Sequence, residues 1–175
     1  MEFFDLVKKR RSIRDYTGKP VPYSYLIKIL DAARWAPSAG NTQEWKFIIV
    51  TDSKLKEKIA EYSYNQAWIQ KAGVVIVVCA DLRAIKARYP NRGEFYAICD
   101  GASATQNILL AAEDLGLGAC WVGAFDEEKI KIILNIPDHV KVVSIVPIGH
   151  KSSEPATPYK YGLMNLTYIN KWGSG

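Results

Sequence analysis

Hydrophobic positions change period several times along the chain, and each change predicts a new element. Phe3, Leu6 and Val7 place a short helix over residues 2–10, and Leu26, Ile27, Leu30 and Ala33 place a second, with Ser24 as its expected cap and Pro37 beyond its end. Between them Thr17–Pro22 reads as a turn. Trp45–Thr51 is aromatic and β-branched, as strands are, and Asp52 or Ser53 then caps a helix through Leu55, Ile59 and Tyr62. Val74–Ala80 is almost continuously apolar, which predicts a central strand covered on both faces. Residues 82–94, with Pro90, Asn91 and Gly93, read as a loop. Phe95, Ile98, Ala102, Thr105, Leu109, Ala112 and Leu115 then keep a helical period for about six turns. Small residues along that helix (Gly101, Ala102, Ala104) place it deep in the core or in a subunit interface.

Gly116 and Gly118 stop the long helix. Ala119–Val122 reads as a short strand, Asp126 caps a helix carrying Ile130, Ile133 and Leu134, and Lys141–Gly149 reads as the last strand. From His150 the periodicity lapses. Tyr159, Tyr161, Leu163, Leu166, Tyr168 and Ile169 then form an apolar tail, expected to dock on its own sheet or on a partner chain. Gly173-Ser174-Gly175 reads as an unstructured end.

A chain of 175 residues argues for one domain spanning 1–175, with residues 150–175 as an extended arm. A composition of 49% hydrophobic and 23% charged residues excludes intrinsic disorder. The net charge of +5 is local: without Lys8, Lys9, Arg10, Arg11 and Arg14 the chain has 18 basic against 18 acidic residues. An anion is therefore expected at that stretch, and without a basic stripe or interleaved aromatics nucleic acid is not expected as a partner. Cys79, Cys99 and Cys120 have no short spacing and read as buried thiols of a reducing compartment. The longest apolar run, Ala72–Ala80, is about half of the ~20 residues a membrane helix needs. The N-terminus lacks a signal-peptide pattern. These features predict a cytoplasmic protein with no membrane association.

Several chemistries fall away. Gly116-Leu117-Gly118 follows a helix and has Trp121 where a dinucleotide fingerprint needs its third glycine. His139 and His150 have no partners at metal-ligand spacing, so no metal is expected. The neighbouring acids Glu113/Asp114 and Glu127/Glu128 read as solvated helix surface. What remains is Arg10-Arg11-Ser12-Ile13-Arg14, whose planar guanidinium forks and hydroxyl match phosphate oxygens. A solvated basic helix end explains the same residues. A second constellation, Ala36-Pro37-Ser38-Ala39-Gly40-Asn41-Thr42-Gln43-Glu44-Trp45, is a loop of small and amide residues that admits a flat ligand to the backbone. A third, Gly118 to Phe125, turns off a strand end and exposes backbone N–H groups.

Taken in order with Asp100, Gln106-Asn107, Leu115-Gly116-Leu117-Gly118 and Pro147-Ile148-Gly149-His150, these segments resemble the FMN-dependent nitroreductase family. The resemblance runs from about Phe3 to about Tyr161. It implies an α+β, three-layer fold: a central mixed β-sheet flanked by helices, in a homodimer that exchanges C-terminal arms. It further implies FMN at the interface, with NADH or NADPH as electron donor. Arg10, Arg11 and Ser12 are then expected at the phosphate and ribityl chain, and Arg14 near the pyrimidine side of the ring. Pro37, Ser38, Ala39 and Asn41 are expected from the other subunit, Asn65 and Gln66 at the pyrimidine edge, and Trp121, Val122, Gly123 and Ala124 along the ring. The Gly123 N–H is the candidate donor to flavin N5, and no catalytic side chain is needed, because hydride transfer is the cofactor's chemistry. The implied reaction is ping-pong: NAD(P)H delivers hydride and leaves, and a nitroaromatic, quinone or related flat oxidant takes two electrons.

The sequence departs from the family pattern in three places. Trp68 stands where a cation is common before the central strand. Tyr161 stands where an arginine of the arm helps hold phosphate, leaving Lys160 as the substitute. The segment from Leu82 to Glu94 is short, which implies an open pocket with Arg88, Tyr89 and Phe95 at its rim. The alternatives are a specialised flavoenzyme of the same family, such as a reductive dehalogenase or flavin-cleaving enzyme, and a flavin-binding module without turnover.

Overall fold

In the computed structural model, which describes residues 1–173, the chain runs α1 (Phe3–Lys9), α2 (Tyr23–Arg34), β1 (Trp45–Val50), α3 (Ser53–Tyr62), β2 (Val74–Asp81), α4 (Leu82–Arg88), α5 (Gly93–Asp114), β3 (Gly118–Ala119), α6 (Glu127–Leu134) and β4 (Val140–Gly149). The expectation for Ser174 and Gly175 lies outside these residues. The strands form one sheet in the order β1-β2-β4-β3.

Because successive strand side chains point to opposite faces, β2 feeds two cores. Val75, Val77 and Cys79 pack with Ile59 of α3, Ile69 and Ile130 of α6. Val74, Ile76 and Val78 pack with Leu26 and Ile29 of α2 and Ala104, Ile108 and Leu109 of α5. The result is an α+β architecture of three layers, helices on either side of a sheet. Asp52 caps α3 by accepting from Leu55 N at 2.8 Å, and Asp126 caps α6 by accepting from Lys129 N at 3.2 Å.

Several expectations are corrected. The sheet is not mixed: each pair of strands is antiparallel, and the parallel contact is an isolated bridge between Ser12 and Ala119. The predicted strand over 119–122 is β3 followed by a separate bridge from Val122 to Ile145. Ser24 does not cap α2; Pro22 holds that position, with its carbonyl accepting from Tyr25 N and Leu26 N. Ile27 is exposed and Ile29 takes its place in the core. The expected loop over 82–94 contains α4, capped by Asp81, because Leu82 and Ile85 bury against Ala80 and Ala97, and only residues 89–92 connect it to α5. Cys99 is exposed, whereas Cys79 and Cys120 are buried.

The acids expected on solvated surface are partly structural. Glu113 is buried and accepts from Lys151 Nζ at 2.9 Å on both carboxylate oxygens, tying α5 to the root of the arm. Glu127 accepts from Lys141 Nζ at 2.6 Å and Val142 N at 3.0 Å. Each acid lies on the inward side of its helix, where a lysine from elsewhere in the chain meets it. Beyond Lys151 the arm leaves the sheet, and every residue from Ser152 to Gly173 is exposed. Among the described residues no helix is long and apolar enough to cross a membrane, and no three His, Cys, Asp or Glu side chains are grouped to hold a metal ion.

Candidate functional site

The basic stretch leaves α1 and is stitched to the end of the sheet. Ile13 N donates to Ala119 O at 3.0 Å, and the Ile13 side chain fills the space at Gly118, where a Cβ would come within 2.8 Å of it. The buried Tyr16 hydroxyl reaches Ile13 O at 2.7 Å and Pro147 O at 3.0 Å. Burial pushes its pKa up, so it serves as a neutral donor. These contacts fix the backbone of the segment and leave its arginines to project.

They project into a cleft of about 870 Å³ lined by Lys8, Arg10, Arg11, Ser12, Arg14 and Lys160, closed on one side by Val7 and Gln106 and on another by the arm from Pro155 to Pro158. Among the described residues no ion pair involves Lys8, Arg10, Arg11, Arg14 or Lys160. Arg11 is nonetheless occupied: it donates to the carbonyls of Lys8, Lys9 and Arg10 at the C-terminus of α1 and to Thr157 Oγ1 of the arm. Arg14 lies 5.9 Å from the centre of the Trp68 ring, which in turn packs 6.4 Å from Tyr16. The aromatic at the position expected to carry a cation is thus the platform on which Arg14 rests. Burial pushes the Cys120 thiol up, opposed by Arg14, Ser12 and Arg10, so this cysteine adjoins the basic segment as an un-ionised group at neutral pH.

A second grouping joins Gln66 to the turn after β3. Gln66 Nε2 donates to Ser63 O at 2.9 Å and Ala124 O at 3.3 Å. Asn65 opens on a smaller cleft of about 300 Å³ with Tyr64, Asp126 and Lys129. Gly123 is exposed, and a Cβ built on it meets nothing closer than Trp121 Nε1 at 3.8 Å. The chain's own packing therefore does not demand glycine there, whereas a flat group lying along residues 121–124 would.

Pro37, Ser38, Ala39 and Asn41 do not line the basic cleft. Their loop packs on α4 and α5: Arg88 donates to Gly40 O at 2.8 Å, and Asp100 accepts from Ala39 N at 2.8 Å. Four of the six non-glycine residues described with positive φ fall in the two nominated loops: Asn41 (57°) and Gln43 (49°), Tyr64 (55°) and Asn65 (59°). Backbone held in this region costs of order 1–3 kcal/mol per residue and collects at ligand sites.

A model of the Nitroreductase family matches residues 7–69 and 62–150. The chain belongs to that family. A protein of Methanothermobacter thermautotrophicus provisionally described as an NADH dehydrogenase/NAD(P)H nitroreductase is 39% identical over 98% of this chain and 88% of its own length. An FMN reductase [NAD(P)H] of Bacillus subtilis is 31% identical over 92% of this chain and 72% of its own. The crystal structure of a nitroreductase family protein from Clostridium novyi superposes with a TM-score of 0.80 at 35% identity, over 99% of this chain and 96% of that one.

Within this nitroreductase framework, sequence reasoning missed Tyr16 and the Pro155–Pro158 wall, and it named Gln106 only as part of the family pattern, without a place at the cleft. Tyr16 carried a signal, an aromatic two residues past the basic run. Pro155–Pro158 carried none: only Lys160 of the arm was expected at the cleft, and the segment before it is placed by Lys151, whose partner Glu113 lies far back in the chain. Replacing Gly123 by alanine is expected to leave the melting temperature within about 2 °C of wild type, since the methyl meets only ordinary contacts. Flavin affinity, read by fluorescence quenching on titration, is expected to fall by tenfold or more.

Proposed function

We propose that this nitroreductase-family chain is an FMN-dependent NAD(P)H oxidoreductase working as a homodimer. The observation that carries the reading is the cleft ringed by cations without acidic partners, since a phosphate monoester brings about two negative charges and three acceptor oxygens to such a place. The names of the relatives, FMN reductase and NAD(P)H nitroreductase, support the same reading. Cytoplasmic residence suits three free cysteines.

Arg10, Ser12 and Lys160 hold the phosphate and the adjoining hydroxyls. Arg11 acts one step back, fixing the end of α1 and the arm. Arg14, steadied on Trp68, would place positive charge at the pyrimidine side of the bound flavin. Asn65 and Gln66 would address the pyrimidine edge, and the backbone from Trp121 to Ala124 would serve the ring, with the Gly123 N–H as the donor. FMN, when bound, supplies two-electron hydride chemistry. The protein supplies placement and field, and no side chain need move a proton.

What one chain leaves open supports the dimer. Tyr159, Tyr161, Leu163, Met164, Leu166 and Trp172 are between 62% and 93% exposed, far more apolar surface than a lone soluble chain ordinarily shows in one segment. A second copy covers this arm and lends the Pro37–Asn41 loop to the opposite flavin. Flat oxidants such as quinones and nitroaromatics are the substrates best matched to an open stacking site. The phosphate assignment is tested by comparing FMN with riboflavin: FMN is expected to bind on the order of a hundredfold more tightly, and equal affinities would remove the argument.

A further inference from the structure

Lys151, two residues past β4, carries contacts that the flavin chemistry does not use. Its backbone still bridges Tyr16, while its side chain turns inward to α5. Nζ lies 2.9 Å from both carboxylate oxygens of Glu113 and 2.6 Å from Glu154 Oε1. An ammonium has three N–H donors, and each has a carboxylate oxygen to meet. Glu113 is buried in the last turn of α5, where the helix dipole opposes a negative charge. Lys9 Nζ comes no nearer to it than 4.0 Å, so Lys151 is its principal counter-charge.

The arm that follows has no buried side chain in the single chain, since every residue from Ser152 to Gly173 is exposed. What places its first residues is polar. Ser152 N donates to Asp15 O at 3.1 Å, Ser153 Oγ donates to Asp15 Oδ2 at 2.9 Å, and Glu154 folds back on Lys151. Pro155, Ala156, Thr157 and Pro158 then form a wall of the basic cleft, and Thr157 Oγ1 accepts from Arg11 Nη2 at 2.6 Å. The wall is thus tied at both ends, and its two prolines, with φ fixed, stiffen the span between them. Asp15 and Thr157 are exposed, so water competes for those ties; the tie through Lys151 ends on a buried group.

We propose that Lys151 and Glu113, with Glu154 completing the site on the solvent side, form a clasp that positions the Pro155–Pro158 wall of the cleft. They are positioning residues: none of the three lines the cleft, and they act through where they set the wall. That placement does not depend on flavin. Its consequence for a ligand rests on the reading of the cleft as an FMN phosphate site. With the wall released, FMN loses contacts beside its phosphate, whereas riboflavin has no phosphate to be held there.

The test uses the full chain with Glu113→Gln and Lys151→Met combined, so that no buried charge is left unpaired, and separately Glu154→Ala, which removes an exposed side chain only. Amide hydrogen exchange at Ser152, measured on the flavin-free proteins, reads the clasp. It is expected to be about tenfold faster than wild type in the double variant and about threefold faster in Glu154→Ala, because the bond to Asp15 opens more often. Titration with each flavin reads the wall. FMN affinity is expected to fall about tenfold in the double variant while riboflavin affinity stays within about twofold of wild type; a general loss of stability would lower both together. If wild type binds FMN and riboflavin equally, the phosphate reading fails and Ser152 exchange alone decides the clasp. Ser152 exchange unchanged in both variants, FMN held as in wild type although that exchange has quickened, or equal losses of FMN and riboflavin would each overturn the proposal.

Discussion

Replacing Arg10 and Arg14 together by alanine is expected to yield a folded protein that no longer retains FMN through gel filtration. Hydrogen bonds to charged groups contribute roughly 1.5–3 kcal/mol each, so losing one from each arginine weakens binding by on the order of a hundredfold or more. Folding is expected to survive, because neither side chain has an acidic partner to leave unpaired, whereas Ile13 and Tyr16, which anchor the segment, are untouched. Flavin content measured by absorbance after denaturation reads the result. A double variant with wild-type flavin content would mean that the phosphate lies elsewhere. Arg11→Ala is a different experiment: its guanidinium is committed to α1 carbonyls and Thr157, so its loss should loosen the arm before it weakens phosphate contact.

Ending the chain after Pro158 is expected to have the second large effect. The deletion removes Tyr159, Tyr161, Leu163, Met164, Leu166 and Trp172, whose exposed side chains belong to none of the buried cores of the single chain. If a second copy covers them, the shortened protein runs as a monomer in analytical ultracentrifugation and binds FMN poorly, since it has lost Lys160 as well as the neighbour's loop. A truncated chain that remains dimeric with full flavin content would contradict the arm-exchange reading. Stable interfaces bury about 800 Å² per partner, and an arm of this length with six large apolar side chains can supply that.

How much of this was legible in the sequence depended on whether the cause was local. The apolar run from Val74 to Ala80 could be covered on both faces only as a central strand, and it is β2 of the sheet. Asp52 and Asp126 cap helices as their positions before an apolar period imply. The segment after β2 was misread because Pro90, Asn91 and Gly93 dominate its appearance, although Leu82 and Ile85 sit at helical spacing and bury. Glu113 looked like solvent-facing charge because its partner, Lys151, lies 38 residues on. The same limit applies to the sheet: strand direction is settled by pairing between distant segments, and the expected mixed sheet proved antiparallel.

The site shows a similar division. The arginines, the Ser38–Asn41 loop and the turn at Gly123 stood out by composition alone. Trp68 was noticed as a departure, yet its role as the surface beneath Arg14 needed coordinates. Glu44 drew no separate notice although it is buried, and Asp100, which accepts from Ala39 N, was read only as part of a family pattern.

The account rests most directly on whether flavin held by this protein exchanges electrons with a nicotinamide. Protein saturated with FMN should be placed under anaerobic conditions and its visible spectrum followed on adding NADH, then NADPH, then a quinone. The predicted result is bleaching of the bound flavin by at least one nicotinamide and full recovery of colour with the quinone. A protein that takes up no FMN, or whose bound FMN keeps its colour with both nicotinamides, would contradict the account.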